Sequence, residues 1–276
     1  MPRIAVLQMC SGIDPAANLA EIENAARRAA DEGALALFTP EMSLLLDRNR
    51  ERARVWIASD APSEACEHLS CIAAKLHIDI AIGSMPVMAD SGKWANRAHY
   101  FHPDLGPPVI YDKIHMFDVE LATGEVWRES AAYEPGSAVV TVEDTPVGRL
   151  GLAICYDMRF PALFEALGNR RCDCIAVPAA FTVPTGQAHW HVLLRARAIE
   201  ASAFVIAAAQ VGRHEDGRAT YGHSLVIDPW GEVLLDMGGD APGLGFCEID
   251  LERVAEVRAQ VPALANRRKI PKAQRR

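Results

Sequence analysis

The first constraint on this chain is a repeated pairing of a wholly apolar run with an amphipathic helix. IAVLQM (residues 4–9) lacks the alternation of a half-exposed strand and has the pattern of a strand buried on both faces. Asp14 follows as a helix cap, with Pro15 at the first helical position. Leu19, Ile22, Ala26 and Ala29 share one face, and Gly33 closes the helix. ALALF (34–38) is a second buried strand, residues 63–77 carry a stripe of Cys66, Leu69, Ala73 and Leu76, and IDIAIGSM (78–85) is a third strand. Strands that are apolar on both faces must be covered on both faces, which places the chain in the α/β class. The middle breaks the alternation: RAHYFHP, PVIYDKIHM, AVVTVE and RLGLAIC are more consecutive strands than a pure βαβ fold supplies. A helix from Pro161, the strand CDCIAVPAAF, a helix over about 188–202 and the strands FVIAAAQ, GHSLVID and GEVLLD follow. The expectation is mixed sheets covered by helices. No Ser/Gly linker, low-complexity block or repeat divides residues 1–276, so they read as one domain.

The charge balance, 28 Lys and Arg against 36 Asp and Glu, argues against nucleic acid as the main partner. The exception is a basic tail from about residue 267, with Arg267, Arg268, Lys269, Lys272, Arg275 and Arg276 and no acid among them. It reads as a solvated terminus, or as a segment that meets the acidic body of a second subunit. Seven cysteines at 10, 66, 71, 155, 172, 174 and 247 form no disulfide framework. The start MPRIAVLQM has no basic segment ahead of a separate apolar one, and no apolar run reaches the ~18 residues of a membrane span. The chain therefore reads as cytoplasmic, with no membrane partner.

Cys155 is marked by its position. It ends the apolar run RLGLAIC, and YDMRFP then turns the chain into a helix whose first turn holds Pro161. A side chain on a sharp strand-to-helix turn stands above the sheet edge, where a helix N-terminus and the neighbouring Arg159 are expected to favour thiolate. Glu41 follows ALALF in FTPEM, and Lys113 lies in the β-like run VIYDKIHMFD. Singly, these are an ordinary buried thiol, a helix start and an edge-strand lysine. Open α/β sheets bring strand ends to one crevice, and there a carboxylate, an ammonium and a thiol would converge. CDC (172–174) lies in an apolar strand without a second paired motif and reads as core rather than as a metal site. A papain-like pairing of Cys155 with a histidine lacks that class's local signature, and His115 reads as packing beside Lys113.

FTPEM, YDKIHMFDVE and AICYDMRFPALFEAL, in that order, resemble the Glu, Lys and Cys signatures of the nitrilase superfamily of carbon-nitrogen hydrolases. The likeness runs from IAVLQM to QVPALANRRK. It implies an α-β-β-α sandwich that becomes four-layered, α-β-β-α-α-β-β-α, in a homodimer, with no metal and no organic cofactor. It further implies Cys155 as nucleophile, Glu41 as general base and Lys113 as the cation facing a tetrahedral oxyanion, acting through a thioester with release of ammonia. Glu129, in WRESAAYEPG, matches a second family glutamate, with Glu125 and Glu134 as competitors. The backbone amide of Tyr156, next to Cys155, is a candidate second oxyanion donor.

LLRARAIEASAFVIAAAQVGRHEDGRATYGHSLVIDPWGEVL resembles the branch of deaminated glutathione amidase and omega-amidase, the latter acting on 2-oxoglutaramate. Both substrates are small anionic amides, so guanidinium groups are expected in the pocket. Arg159 and Arg213 are the candidates, whereas Arg195 and Arg197 read as helix-packing residues beside Glu200. MSLLLDRNRERARVW, after Glu41, is expected to shape the pocket entrance. The same triad serves N-carbamoyl amidohydrolases and nitrilases, and the fold can also carry a non-catalytic scaffold. These alternatives stay open at the level of sequence.

Overall fold

A computed structural model describes residues 1–120, 124 and 126–272. Its first half runs β1 (Arg3–Gln8), α1 (Pro15–Asp31), β2 (Ala36–Phe38), α2 (Arg50–Ile57), α3 (Ala61–Leu76), β3 (Asp79–Met88), β4 (Trp94–Phe101), β5 (Val109–Asp112), β6 (Asp118–Glu120) and β7 (Val126–Arg128). The second half runs β8 (Thr141–Thr145), β9 (Gly148–Leu152), α4 (Pro161–Asn169), β10 (Cys174–Ala176), α5 (Val183–Ala201), β11 (Phe204–Ala207), β12 (Val211–Arg213), β13 (Ala219–Tyr221), β14 (Leu225–Ile227), β15 (Val233–Asp236), β16 (Gly243–Glu248) and α6 (Leu251–Gln260).

Two six-stranded sheets, ordered β16-β1-β2-β3-β4-β5 and β15-β14-β11-β10-β9-β8, carry the fold. β1, β2 and β3 are parallel, as are β9, β10 and β11, and the outer strands are antiparallel. The sheets are therefore mixed, as the sequence predicts. Side-chain alternation separates the layers. Ile4, Val6, Phe38 and Tyr100 share a core with Leu150, Leu152 and Ile206 of the other sheet, while Ala5, Leu7, Leu37 and Ile80 pack with Ile22 and Ala26 of α1 and Leu69 and Ala73 of α3. Leu163, Phe164, Trp190 and Leu194 of α4 and α5 cover the second sheet. The layers are α-β-β-α, and each buried Leu, Ile or Phe contributes about 1.5–3 kcal/mol of hydrophobic stabilisation.

Several elements depart from the sequence expectation. β10 is only the CIA core of the expected strand CDCIAVPAAF, and both Cys172 and Cys174 lie in the apolar core. α5 begins at Val183 rather than near 188, because Pro184 in the first turn interrupts no helical bond. Gly186 there meets Tyr221 so closely that a Cβ would lie 2.3 Å from Cγ of the ring. α2, the ribbons β6–β7 and β12–β13, β16 and α6 were not expected. β16 reads GLGFCE and lacks the apolar continuity of β1, yet it completes the first sheet by pairing antiparallel with β1 from Arg3↔Glu248 to Gln8↔Gly243. The described part of the basic tail turns back on its own chain. Arg267 bonds the Glu165 carbonyl at 3.1 Å and Asn169 Oδ1 at 2.9 Å, both on α4.

The β3–β4 pairing slips between Ile82 and Met85, and this bulge holds the segment that follows β2. Gly83 N–H donates to Thr39 Oγ1 (3.1 Å), Met42 N–H to Ser84 Oγ (2.9 Å) and Ser43 N–H to the Ser84 carbonyl (2.9 Å). A Cβ on Gly83 would lie 2.2 Å from the Thr39 carbonyl oxygen and 2.5 Å from that of Pro40. Both are backbone atoms and cannot rotate away. Gly83→Ala is therefore expected to destabilise the protein by about 3 kcal/mol, the upper range of overpacking, measured as a lower midpoint with unchanged slope in urea unfolding.

Candidate active site

Four chain ends meet at one edge of the sandwich. β2 runs into Thr39-Pro40-Glu41, β5 into Lys113, β9 into Cys155, and β10 into Ala179-Ala180. β5 is antiparallel to β4, and β4 to β3, so β5 points the same way as the parallel strands. The sheets bring together the three groups that the sequence singled out. They lie in a cavity of about 380 Å³ whose lining includes Glu41, Lys113, Glu129, Cys155 and Tyr156.

The Lys113 ammonium is buried and has three oxygen neighbours: Glu41 Oε1 at 2.9 Å, Glu129 Oε1 at 3.1 Å and Glu129 Oε2 at 3.0 Å. Asn96 Nδ2 bridges the same two carboxylates, at 2.9 Å from Glu41 Oε1 and 3.2 Å from Glu129 Oε1. Backbone donors fill the remaining positions. Ala180 N–H donates to Glu41 Oε2 (2.8 Å) and Phe117 N–H to Glu129 Oε2 (2.6 Å). When Glu129 shares one N–H between its two oxygens, Lys113 keeps one N–H for a substrate oxygen. Glu134 lies outside the cavity lining and accepts a hydrogen bond from the Ser91 hydroxyl. Glu125 falls outside the described residues.

Burial alone would push the Glu41 carboxyl up. The Lys113 charge and its hydrogen bond, with the Ala180 N–H, outweigh burial and hold the group below its usual range. Lys113 is held well above the ordinary lysine value: burial opposes its charge, and the two glutamates overcome that. Cys155 is pushed well above the ordinary thiol value, first by burial and then by the Glu41 charge, against the pull of Lys113. The expectation of a ready thiolate is thus corrected. Arg159 does not supply the missing cation, because its Nη1 lies 3.3 Å from His189 Nδ1 and its guanidinium packs on the Phe181 and Tyr156 rings. At rest the site holds a thiol beside an ionised carboxylate, a pair between which a proton can move.

Cys155 opens a 3₁₀ turn (Cys155–Arg159) with φ +46°, a left-handed conformation that a side chain adopts only when its surroundings enforce it. Asp157 is one enforcing group, and sequence reasoning missed it. Fully buried, it accepts from Ile154 N–H (2.9 Å) and Tyr111 O–H (2.7 Å) on one oxygen, and from His115 N–H (3.0 Å) on the other. His115 Nδ1 lies 2.7 Å from that second oxygen, and its ring stacks on Phe160 at 3.6 Å. His115 therefore pins the segment after Lys113 to the Cys155 turn.

The cations expected in the pocket are not those the sequence suggested. Neither Arg159 nor Arg213 lines the cavity; Arg48, Arg50, Arg128 and Arg218 do. Arg213 is exposed on β12, while Arg218, across the Gly217 turn of the same ribbon, faces the cavity. The segment after Glu41 shapes the cavity as expected, through Met42, Leu45, Asp47, Arg48, Arg50 and Ala53. Arg197 is a packing residue, donating to the Met158 carbonyl (2.7 Å) and Glu200 (2.5 Å), and Arg195 donates to the Gly231 carbonyl (2.7 Å). Among the described residues, the one group with metal-ligand chemistry is His191, His223 and Asp236. It lies off the cavity lining, with both histidines within 3.0 Å of the carboxylate.

These shifts fix a pH and mutation response. Alkylation of Cys155 by uncharged iodoacetamide, read at that residue by mass spectrometry, should be slow at neutral pH and rise as pH approaches the elevated thiol value. Glu41→Gln removes the carboxylate charge that, after burial, raises the thiol and leaves Lys113 to lower it, so alkylation at neutral pH should quicken. Amide turnover in the same variant should fall by about 10²–10⁴, the usual weight of a general base.

Comparison with known proteins gives these residues a family. The carbon-nitrogen hydrolase family profile matches residues 3–259. A deaminated glutathione amidase from Yersinia enterocolitica is 40% identical over 270 residues, covering 96% of this chain and 92% of the relative. The crystal structure of the C. elegans NitFhit protein superposes with a TM-score of 0.90 at 35% identity, covering 97% of this chain, which spans only 65% of that longer one. A mutant of the amidase from Nesterenkonia sp. AN1, carrying the product of Michael addition of acrylamide at its active-site cysteine, gives a TM-score of 0.78 at 26% identity, covering 95% of this chain and 98% of that one. The match over nearly its whole length, together with the buried glutamate, lysine and cysteine at the strand ends, shows that this chain belongs to the carbon-nitrogen hydrolase family.

Proposed function

We propose that the chain is a cysteine-dependent amidase whose substrate is deaminated glutathione. The observation that carries this reading is the Lys113 ammonium held between Glu41 and Glu129 in the cavity that contains the Cys155 thiol; the relatives of that name at 35–40% identity supply the substrate. In the proposed reaction Cys155 Sγ attacks the amide carbonyl as Glu41 takes the thiol proton. The oxyanion forms opposite the Lys113 charge and the Tyr156 backbone amide, which act only as that charge develops. Glu41 returns the proton to the departing nitrogen, leaving a thioester. Water then attacks the thioester carbon, Glu41 takes a proton from it, and Cys155 leaves and is reprotonated.

The bond that joins the deaminated residue to the rest of the tripeptide is a secondary amide. Its hydrolysis yields 2-oxoglutarate and cysteinylglycine, so the expectation of ammonia applies to 2-oxoglutaramate alone. The test offers both substrates and follows 2-oxoglutarate. Higher kcat/KM on the tripeptide, abolished in Cys155→Ala, is the expected result. Preference for 2-oxoglutaramate would move the chain to omega-amidase chemistry, and turnover of neither would point to carbamoyl or nitrile substrates or to a scaffold.

The proposal extends to a homodimer. Val192 and Ile199 on α5 are 61% and 50% exposed, and Trp230 nearby is 49% exposed, an apolar surface of the kind that marks association. Light scattering at micromolar concentration should give twice the 30.0 kDa chain mass; the chain mass alone would refute self-association.

A further inference from the structure

The cavity is charged unequally along its length. At the reacting end, Glu41 and Glu129 outnumber Lys113 by one negative charge, whereas the rest of the lining carries Arg48, Arg50, Arg128 and Arg218 against the single carboxylate of Asp47, which Arg52 pairs at 2.6 Å. Two of these arginines are occupied in holding the wall. Arg50 Nη2 donates to the Arg128 carbonyl (3.1 Å), and Arg128 Nη1 to the carbonyls of Val119 (3.2 Å) and Trp127 (3.0 Å). The other two share a platform: the guanidinium carbons of Arg48 and Arg218 lie 5.2 and 5.6 Å from the Trp127 ring centroid, within range of cation–π attraction.

A buried carboxylate orients this pair. Asp216 has no exposed side-chain surface. Its Oδ2 accepts from Arg218 Nε at 2.6 Å, lies 2.6 Å from Arg218 Nη2, and accepts from the backbone N–H of Arg48 at 3.0 Å. Arg218 therefore keeps Nη1 for another partner, and among the described residues the Arg48 side chain makes no ion pair or hydrogen bond. One carboxylate against two guanidinium groups leaves a net positive charge. A guanidinium already held over an aromatic ring also loses little rotamer freedom when it binds.

We infer that Arg48 and Arg218, set on Trp127 and oriented by Asp216, form the subsite for a carboxylate of an anionic amide substrate. This rests on the amidase reading and gives the substrate its polarity. The surplus negative charge beside Cys155 repels a carboxylate, and the paired guanidinium groups attract it, so only the neutral amide reaches the thiol. The sequence placed this role on Arg159 and Arg213, and the subsite replaces both.

The experiment separates this inference from the substrate assignment by using fragments of the substrate as protectants. Alkylation of Cys155 by iodoacetamide is measured with increasing 2-oxoglutarate, with N-acetyl-S-methylcysteinylglycine, a thiol-free anion that copies the other half of the tripeptide, and with uncharged 2-pentanone. In the wild-type protein 2-oxoglutarate or the blocked dipeptide should protect, weakening with added sodium chloride, and the neutral ketone should not. Whichever anion protects identifies the end of the substrate that the subsite takes. Arg48→Gln and Arg218→Gln should each raise the half-protecting concentration at least tenfold, while Arg27→Gln on α1 should not. KM for the turned-over amide should rise by a similar factor, with kcat changed far less. Equal protection by the ketone, no protection by either anion, or unchanged protection in both arginine variants would overturn the inference. Failure of the wild type to hydrolyse deaminated glutathione would overturn only the substrate assignment.

Discussion

The buried ammonium of Lys113 is the interaction on which the site depends. Removing such a group from water costs several kcal/mol, and a buried pair seldom contributes net stability, although loss of one partner leaves the other uncompensated at a cost of about 3–5 kcal/mol. The sandwich meets this demand with Glu41 and Glu129, and the two carboxylates in turn require donors. Asn96 Nδ2, Ala180 N–H and Phe117 N–H supply them. These six groups come from five segments, after β2, on β4, after β5, after β7 and after β10, with Lys113 and Phe117 sharing the one after β5. The charge cluster thus acts as a specification, because only an arrangement that brings all five together leaves no buried charge stranded.

A second buried carboxylate sets the Cys155 turn against that cluster. Asp157 joins the backbone before Cys155, the Tyr111 hydroxyl on β5 and the backbone of His115. Lys113 lies between Tyr111 and His115, so the ammonium and the thiol are fixed to one acceptor. Cys155 N–H donates to the Pro178 carbonyl at 2.9 Å, tying the strained turn to the segment that carries Ala180. The left-handed backbone at Cys155 is held by these bonds, and the geometry is set before any substrate arrives.

What the sequence revealed follows from what was local. The buried strands β1, β2 and β3, and the helices α1 and α3, are legible because burial on two faces and on one stripe leaves direct periodic traces. Glu41, Lys113 and Cys155 are legible because each ends an apolar run and sits in a distinctive motif. β16, α6 and the two ribbons were not legible. Their pairing is decided by partners far away, as when the glycine-rich β16 follows β1 some 240 residues earlier. Asp157 lay inside a recognised motif, and its neighbour Cys155 drew the chemical reading. The sequence reading placed Arg213 in a polar loop, whereas Arg213 ends β12 and nothing local says which arginine of this region faces inward. That choice is made by the Gly217 turn and by the bonds from Arg218 to Asp216, which no periodicity records.

The elevated thiol gives the proposed chemistry a proton balance that a preformed thiolate would lack. Expelling an amine from a tetrahedral intermediate requires a proton on nitrogen. A thiolate stabilised at rest would already have lost its proton to solvent, and Glu41, held ionised by Lys113, carries none of its own. A thiol that ionises only as its sulfur attacks passes its proton to Glu41 at the moment the leaving group comes to need it. Burial, and after it the Glu41 charge, keep Cys155 protonated and so conserve the proton within the site. In the proposed amidase the surplus of Glu41 and Glu129 over Lys113 also keeps a second negative group away from the sulfur. The Glu41 charge would thus serve both the protonation of the thiol and the orientation of an anionic amide.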